Sequence, residues 1–146
     1  MKTLFCVRNF AAGHGRRINT DFLPLQGIDH LEFYVGNAKQ AAHFYRTAFG
    51  FSLIAYKGPE TGSRDLVINV LEQRKIRFVL TTPLRPQLGA AKELRRHGDI
   101  VKAIAIGVDD ARKALAATVE RGAKAVGEIH CRRDADGEVV IARIAL

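Results

Sequence analysis

The chain has 146 residues, 47% of them apolar and 26% charged, enough for a compact core and inconsistent with global disorder. Lys and Arg outnumber Asp and Glu by 23 to 15, a net charge of +8: residues 1–73 hold 8 basic and 6 acidic side chains, residues 74–146 hold 15 and 9. Much of the excess falls on predicted helices (Lys92, Arg95, Arg96; Arg112, Lys113), where a solvated basic face is ordinary, so no specific nucleic-acid partner is expected. No apolar run is long enough to span a membrane, and the opening stretch LFCV is too short for the core of a signal peptide. The two cysteines, Cys6 and Cys131, are distant and lack CxxC spacing. They read as reduced thiols of a cytoplasmic protein.

Residues 1–25 mix Gly13, Gly15, Arg16, Arg17 and Asn19 without periodicity and predict a flexible basic tail. Order is expected from residue 26 onward. IDHLEFYV (28–35) alternates with a period of two, a strand whose Leu31, Phe33 and Val35 face the core. Asn37 is a good N-cap for a helix over AKQAAHFYRTAF, with Ala41, Tyr45, Ala48 and Phe49 at helical spacing and Gly50 as its terminator. Strands are predicted over 51–57, 65–71 and 75–81, the first two separated by a turn holding Gly58, Pro59 and Gly62, the last two by Glu72-Gln73-Arg74. A linker with Pro83 and Pro86 leads into a basic helix near Gln87–His97, ended by Gly98. IVKAIAIGV (100–108) predicts a strand, Asp109 an N-cap, and ARKALAATVER (111–121) a helix ended by Gly122. AKAVGEI (123–129) and EVVIARIAL (138–146) complete the strands.

The two halves repeat. At an offset of 73, VGNAKQAA (35–42) falls on VDDARKAL (108–115), so that Val35 meets Val108, Asn37 meets Asp110 and Ala38 meets Ala111. Each half is one supersecondary unit whose apolar sheet face cannot be buried alone, and pairing two copies makes a core. The first copy has four strands and the second reaches only its third.

These features resemble the vicinal oxygen chelate (glyoxalase/bleomycin resistance) superfamily. LQGIDHLEFYVGNAKQAAHFYRTAFGF, AYKGPETGSRD, IRFVLTTPL and RRHGDIVKAIAIGVDDA are similar to the N-terminal domain of 4-hydroxyphenylpyruvate dioxygenases over residues 23–146. The related hydroxymandelate synthases share this architecture. The resemblance implies an α+β fold of two tandem βαβββ modules: module one over 27–82, a linker and helix over 83–98, and an incomplete module two over 99–146 that lacks its last strand. It implies that the catalytic Fe(II) lies in a C-terminal domain, held by two His and one Glu, and that the N-terminal domain is a structural partner contributing to homo-oligomer contacts. By itself the chain is then expected to be an inactive scaffold. A stand-alone small-molecule-binding module that closes its site by dimerising is the other reading.

The residues give the same expectation. A ferrous dioxygenase site needs two imidazoles and a carboxylate on one face of the metal. His30 lies on the first strand, where metal-binding relatives place an imidazole, but its counterpart at offset 73 is Ala103, and IRFVLTT offers no carboxylate. His14, His43, His97 and His130 never reach the spacing of a helical metal pair. Cys131, flanked by Arg132 and Arg133, reads as a loop thiol rather than a nucleophile. Gly58–Gly62 lacks the Lys-Ser/Thr ending of a phosphate loop and reads as a turn. No catalytic, cofactor-binding or metal-binding residue is therefore assigned from the sequence.

Overall fold

A computed structural model describes residues 4–9, 21–134 and 137–145. In chain order the strands and helices are β1 (Leu4–Asn9), β2 (Leu25–Tyr34), α1 (Ala38–Phe49), β3 (Ser52–Lys57), β4 (Leu66–Gln73), β5 (Ile76–Pro83), α2 (Gly89–His97), β6 (Ile100–Val108), α3 (Ala111–Glu120), β7 (Lys124–Ala125), β8 (His130–Asp134), β9 (Gly137–Ile141) and β10 (Ile144–Ala145). They divide into two compact units, one of His30–Lys102 and one of Met1–Asp29 with Ala103–Leu146.

In the unit His30–Lys102 the predicted β-α-β-β-β order appears as strands ordered β3-β4-β5-β2 with α1 on one face. β2 and β5 run parallel, with Leu31 beside Phe78 and Phe33 beside Leu80. β3, β4 and β5 are antiparallel neighbours. The helix begins where expected: the Asn37 side chain accepts a hydrogen bond from the Gln40 backbone N–H at 3.0 Å, pairing one of the donors that a helix start leaves over. Gly50 ends it in the left-handed region at φ 77°, where a Cβ would be strained. Thr82 fastens the helix start to the sheet, its hydroxyl accepting from Ala38 N–H and donating to the Val35 carbonyl, both at 2.7 Å.

The face toward α1 carries the core. Leu71 and Leu80 are fully buried among Val35, Ala38, Ala42 and Phe51. Phe33, Tyr45 and Phe78 pack against them, with Phe51 and Phe78 stacked at 4.9 Å and Tyr45 edge-on to Phe78 at 5.2 Å. Such pairs add about 0.5–1.5 kcal/mol each beyond their buried area. Leu31, Phe33 and Val35 point inward as the alternation predicts, whereas Phe49, at helical spacing with Ala41 and Tyr45, is 56% exposed, its ring against those of Phe44 and Tyr45 on the same helix. The β4–β5 turn is tighter than predicted. Gln73 pairs with Ile76, leaving Arg74 and Lys75 as the turn, and Arg74 takes a positive φ of 55°. Glu72, read as turn, is instead a strand residue opposite Arg77.

The second unit orders its strands β6-β1-β10-β7 and adds a separate β8–β9 hairpin. In the segment that composition suggests is a tail, Leu4–Asn9 forms β1, parallel to β6 from Leu4 beside Ala103 to Asn9 beside Val108. The cap of α3 is Asp110 rather than Asp109: its carboxylate accepts from the N–H groups of Arg112 and Lys113, at 2.9 and 3.1 Å. Asp110 is the repeat partner of Asn37, so the offset, not the local pattern, identifies the cap. Asp109 accepts from the Gln26 side chain at 2.8 Å. The predicted strand over 123–129 shrinks to Lys124–Ala125 because Gly127, at φ 67°, turns the chain. The predicted strand over 138–146 splits into β9 and β10, and β8, read as a loop, pairs with β9 from His130 beside Ile141 to Asp134 beside Gly137. Among the described residues of this unit, Ala111, Val140 and Ala142 form a buried cluster with Leu115 and Ile129 against them, and Ala103, Ala105 and Val108 of β6 are buried as well.

Candidate functional site

Strand alternation sends every second side chain of the His30–Lys102 sheet away from α1. Because Leu31 and Phe33 face the helix, His30, Glu32 and Tyr34 of β2 share the opposite face, with Thr81 of β5 in register beside Tyr34. Ile68 of β4 stands opposite Thr81, and Glu72 stands opposite Arg77. The face is half-buried and mixes apolar with ionisable groups, the composition of a binding surface rather than a solvated edge.

Its charges are organised. Arg77 donates through Nε and Nη2 to one oxygen of Glu72, at 3.0 and 2.5 Å, a cross-strand pair at about one-third exposure. Lys102 at the start of β6 donates to both carboxylate oxygens of Glu93 on α2, at 2.8 and 3.1 Å. The same ammonium sits 5.2 Å from the centre of the Tyr34 ring, a cation–π contact that fixes one edge of the face. Thr81 is 3% exposed, and its hydroxyl oxygen has no hydrogen-bond partner among the described residues. Sequence reasoning passed over it: a Thr in the run IRFVLTTP is unexceptional in a strand, and only the burial of its hydroxyl distinguishes it.

The ferrous site implied by the resemblance can be tested on this donor set. His30 and Glu32 lie two residues apart on one face, and β5 adds Arg77 and Thr81 to that face but no carboxylate. Ala103, the repeat partner of His30, is buried on β6 and has no donor to offer. Among the described residues no group of three or more His, Cys, Asp or Glu side chains comes together. The described residues do not fit a three-donor iron site.

The other histidines are scattered. His43 is exposed on α1, His97 is the exposed last residue of α2, and His130 opens β8. His14 lies outside the described residues. Cys131 is exposed and free, and its Sγ accepts from Arg112 Nη2 at 3.2 Å, a neighbour on α3 that sequence proximity to Arg132 and Arg133 did not suggest. Gly58–Gly62 is the turn its composition predicts, with a short 3-10 segment, Pro59–Thr61, closed by the Thr61 hydroxyl on Gly58 N–H at 2.9 Å. No helix among the described residues is long and apolar enough to cross a membrane.

Comparison with known proteins adds to this geometry. A family model described as "Glyoxalase/Bleomycin resistance protein/Dioxygenase superfamily" matches residues 27–141. A 4-hydroxyphenylpyruvate dioxygenase of Yarrowia lipolytica is 44% identical over 124 residues, which cover 82% of this chain and 32% of the relative. A mutant of 4-hydroxymandelate synthase from Streptomyces coelicolor superposes with a TM-score of 0.75 at 30% identity, covering 84% of this chain and 36% of that one. Methylmalonyl-CoA epimerase from Mycobacterium tuberculosis, at 20% identity and a TM-score of 0.65, shares the fold over 86% of this chain and 81% of its own. The chain spans about a third of the length of the curated relatives it matches.

Proposed function

This chain belongs to the glyoxalase/bleomycin resistance protein/dioxygenase superfamily, and on that premise we propose that it acts as the N-terminal portion of a 4-hydroxyphenylpyruvate dioxygenase-like protein. The reaction of such a protein converts 4-hydroxyphenylpyruvate and O2 into homogentisate and CO2, a step of tyrosine breakdown. The Fe(II) that supports it is held by the C-terminal portion, and the present residues serve as scaffold and assembly surface for that portion and for further copies in the cytoplasm. The observation that carries this reading is the identity of 44% to a dioxygenase of which the chain matches only 32%. The donor set on the β2–β5 face supports it, because a single imidazole and one neighbouring carboxylate are too few to hold iron with sites left open for substrate and oxygen.

A chimera tests the assignment. The present residues replace the matching third of the Yarrowia lipolytica relative. The expected product is a folded protein that forms homogentisate, while the 146-residue chain with ferrous salt and ascorbate forms none. An inactive chimera beside an active parent, or turnover by the chain alone, overturns the proposal. The structural likeness to hydroxymandelate synthase favours one alternative, the N-terminal portion of that enzyme. Formation of hydroxymandelate by a chimera built on the synthase, with none by the dioxygenase chimera, would select it. A module that binds a small molecule alone and closes by dimerising predicts tight stoichiometric Fe(II) binding by the purified chain, which the favoured reading does not.

A further inference from the structure

We propose that the cleft between α1 and the β3–β4 ribbon is a binding site for a small carboxylate whose apolar body ends in a hydrogen-bond acceptor. The cleft lies on the α1 side of the sheet, opposite the face of His30 and Thr81, and has a volume of about 520 Å³, within the range of small-molecule sites. Its floor is Asn69, 5% exposed in the middle of the apolar strand LVINVLEQ. Asn69 lines the cleft, and its side-chain amide nitrogen is buried beneath that surface with no hydrogen-bond partner among the described residues. A buried amide donor left unmet is a standing cost to the fold, and a ligand oxygen delivered through the cleft removes it.

The walls and rim supply the rest. Val67 and Ala42 give an apolar middle. Lys39, His43 and Arg46 stand on one exposed stripe of α1 at helical spacing and surround the mouth. Glu60 is the one carboxylate among the lining residues, and it is engaged by the Tyr56 hydroxyl, which donates to it and lowers its pKa from the usual carboxylate value, with Lys39 adding to that effect. The mouth is therefore cationic and the floor is a neutral donor, an order that suits a carboxylate outside and an acceptor oxygen inside.

The strand is shaped for this. Leu53 and Tyr56 are three apart and would face opposite ways on a regular strand, but the register of β3 shifts between Leu53 and Ala55. Leu53 then pairs with Leu71 and Tyr56 with Asn69, so that both side chains turn toward α1 and line the cleft. A Cβ on Gly58 would meet the Tyr56 hydroxyl oxygen at 2.0 Å, so the ring keeps its place at the mouth only over a glycine.

The test is 1H–15N chemical-shift titration of the full chain with 4-hydroxybenzoate, with benzoate and 4-hydroxybenzyl alcohol as probes lacking the acceptor and the charge. Saturable shifts confined to α1, β3 and β4 are expected with 4-hydroxybenzoate, about tenfold weaker binding of benzoate, and none of the alcohol. Asn69→Leu is expected to melt no lower than the parent and to lose the preference for 4-hydroxybenzoate over benzoate. Arg46→Glu, a surface change that leaves the fold intact, is expected to weaken both acids. Equal binding of all three probes, affinities unmoved in Arg46→Glu, no saturable shift up to millimolar concentration, or a lower melting temperature in Asn69→Leu overturns the proposal. The chimera assay is independent of each of these outcomes.

Discussion

Thr81 and Asn69 occupy adjacent strands, and both bury a polar atom that has no partner among the described residues. Such atoms are rare in folded proteins because each forfeits its hydrogen bonds to water without replacement. For Thr81 the simplest consequence is energetic. Thr81→Val keeps the shape and exchanges the hydroxyl for a methyl, so the change is expected to be neutral or to stabilise by up to about 1 kcal/mol, read from urea unfolding. A loss greater than about 1 kcal/mol would mean that the hydroxyl is hydrogen-bonded in solution. Neither residue is conspicuous in the sequence. IRFVLTTP and LVINVLEQ are ordinary strand strings, and what sets Thr81 and Asn69 apart is which neighbours reach them. Glu72 gives the opposite case: its polarity suggests a turn, but the register places it across from Arg77, where an ion pair makes a strand position acceptable.

The elements that the sequence reveals best are those whose ends carry their own chemistry. α1 starts at Asn37 and stops at Gly50 because the first supplies an acceptor to an orphan N–H and the second tolerates the left-handed turn. α3 follows the same logic through Asp110, whose pKa is held below its ordinary value chiefly by the Lys113 N–H, and then by the Arg112 N–H and both cations. A carboxyl with a lowered folded-state value contributes stability that is present above its unfolded-state value and is lost as pH falls through the folded one. Asp110→Asn keeps a capping oxygen but not the charge, so its melting temperature is expected to fall less steeply than the parent's between about pH 5 and pH 2. Parallel acid limbs for the two proteins would show that the charge is not involved. Strands are less legible. β7, β8 and β9 are short, and each is defined by a partner rather than by its own pattern.

At the scale of the molecule the two units repeat a motif and differ in how they complete it. In one, β2 has β5 as its parallel neighbour. In the other, β6 has β1 in the corresponding parallel position, contributed by the N-terminal segment. A chain lacking residues 1–9 would leave β6 with unpaired backbone groups along that side, a template for another strand. Such a truncation is expected to lower the melting temperature and to self-associate with rising concentration in light scattering, whereas a monomer with an unchanged melt would remove β1 from any structural role. The sequence by itself determined the β-α-β-β-β order of the first unit, the capped helices, and the superfamily, because periodicity, capping groups and long shared strings are properties of neighbouring residues. Only the tertiary structure decided that Leu4–Asn9 lies beside Ala103–Val108, that the segment after Glu138 splits into two strands, and that Asn69 lines a cleft and buries an amide nitrogen with no partner among the described residues. Those outcomes depend on hydrogen bonds and burial between residues far apart in the chain, and a linear pattern carries no record of which distant group will arrive to meet a given donor.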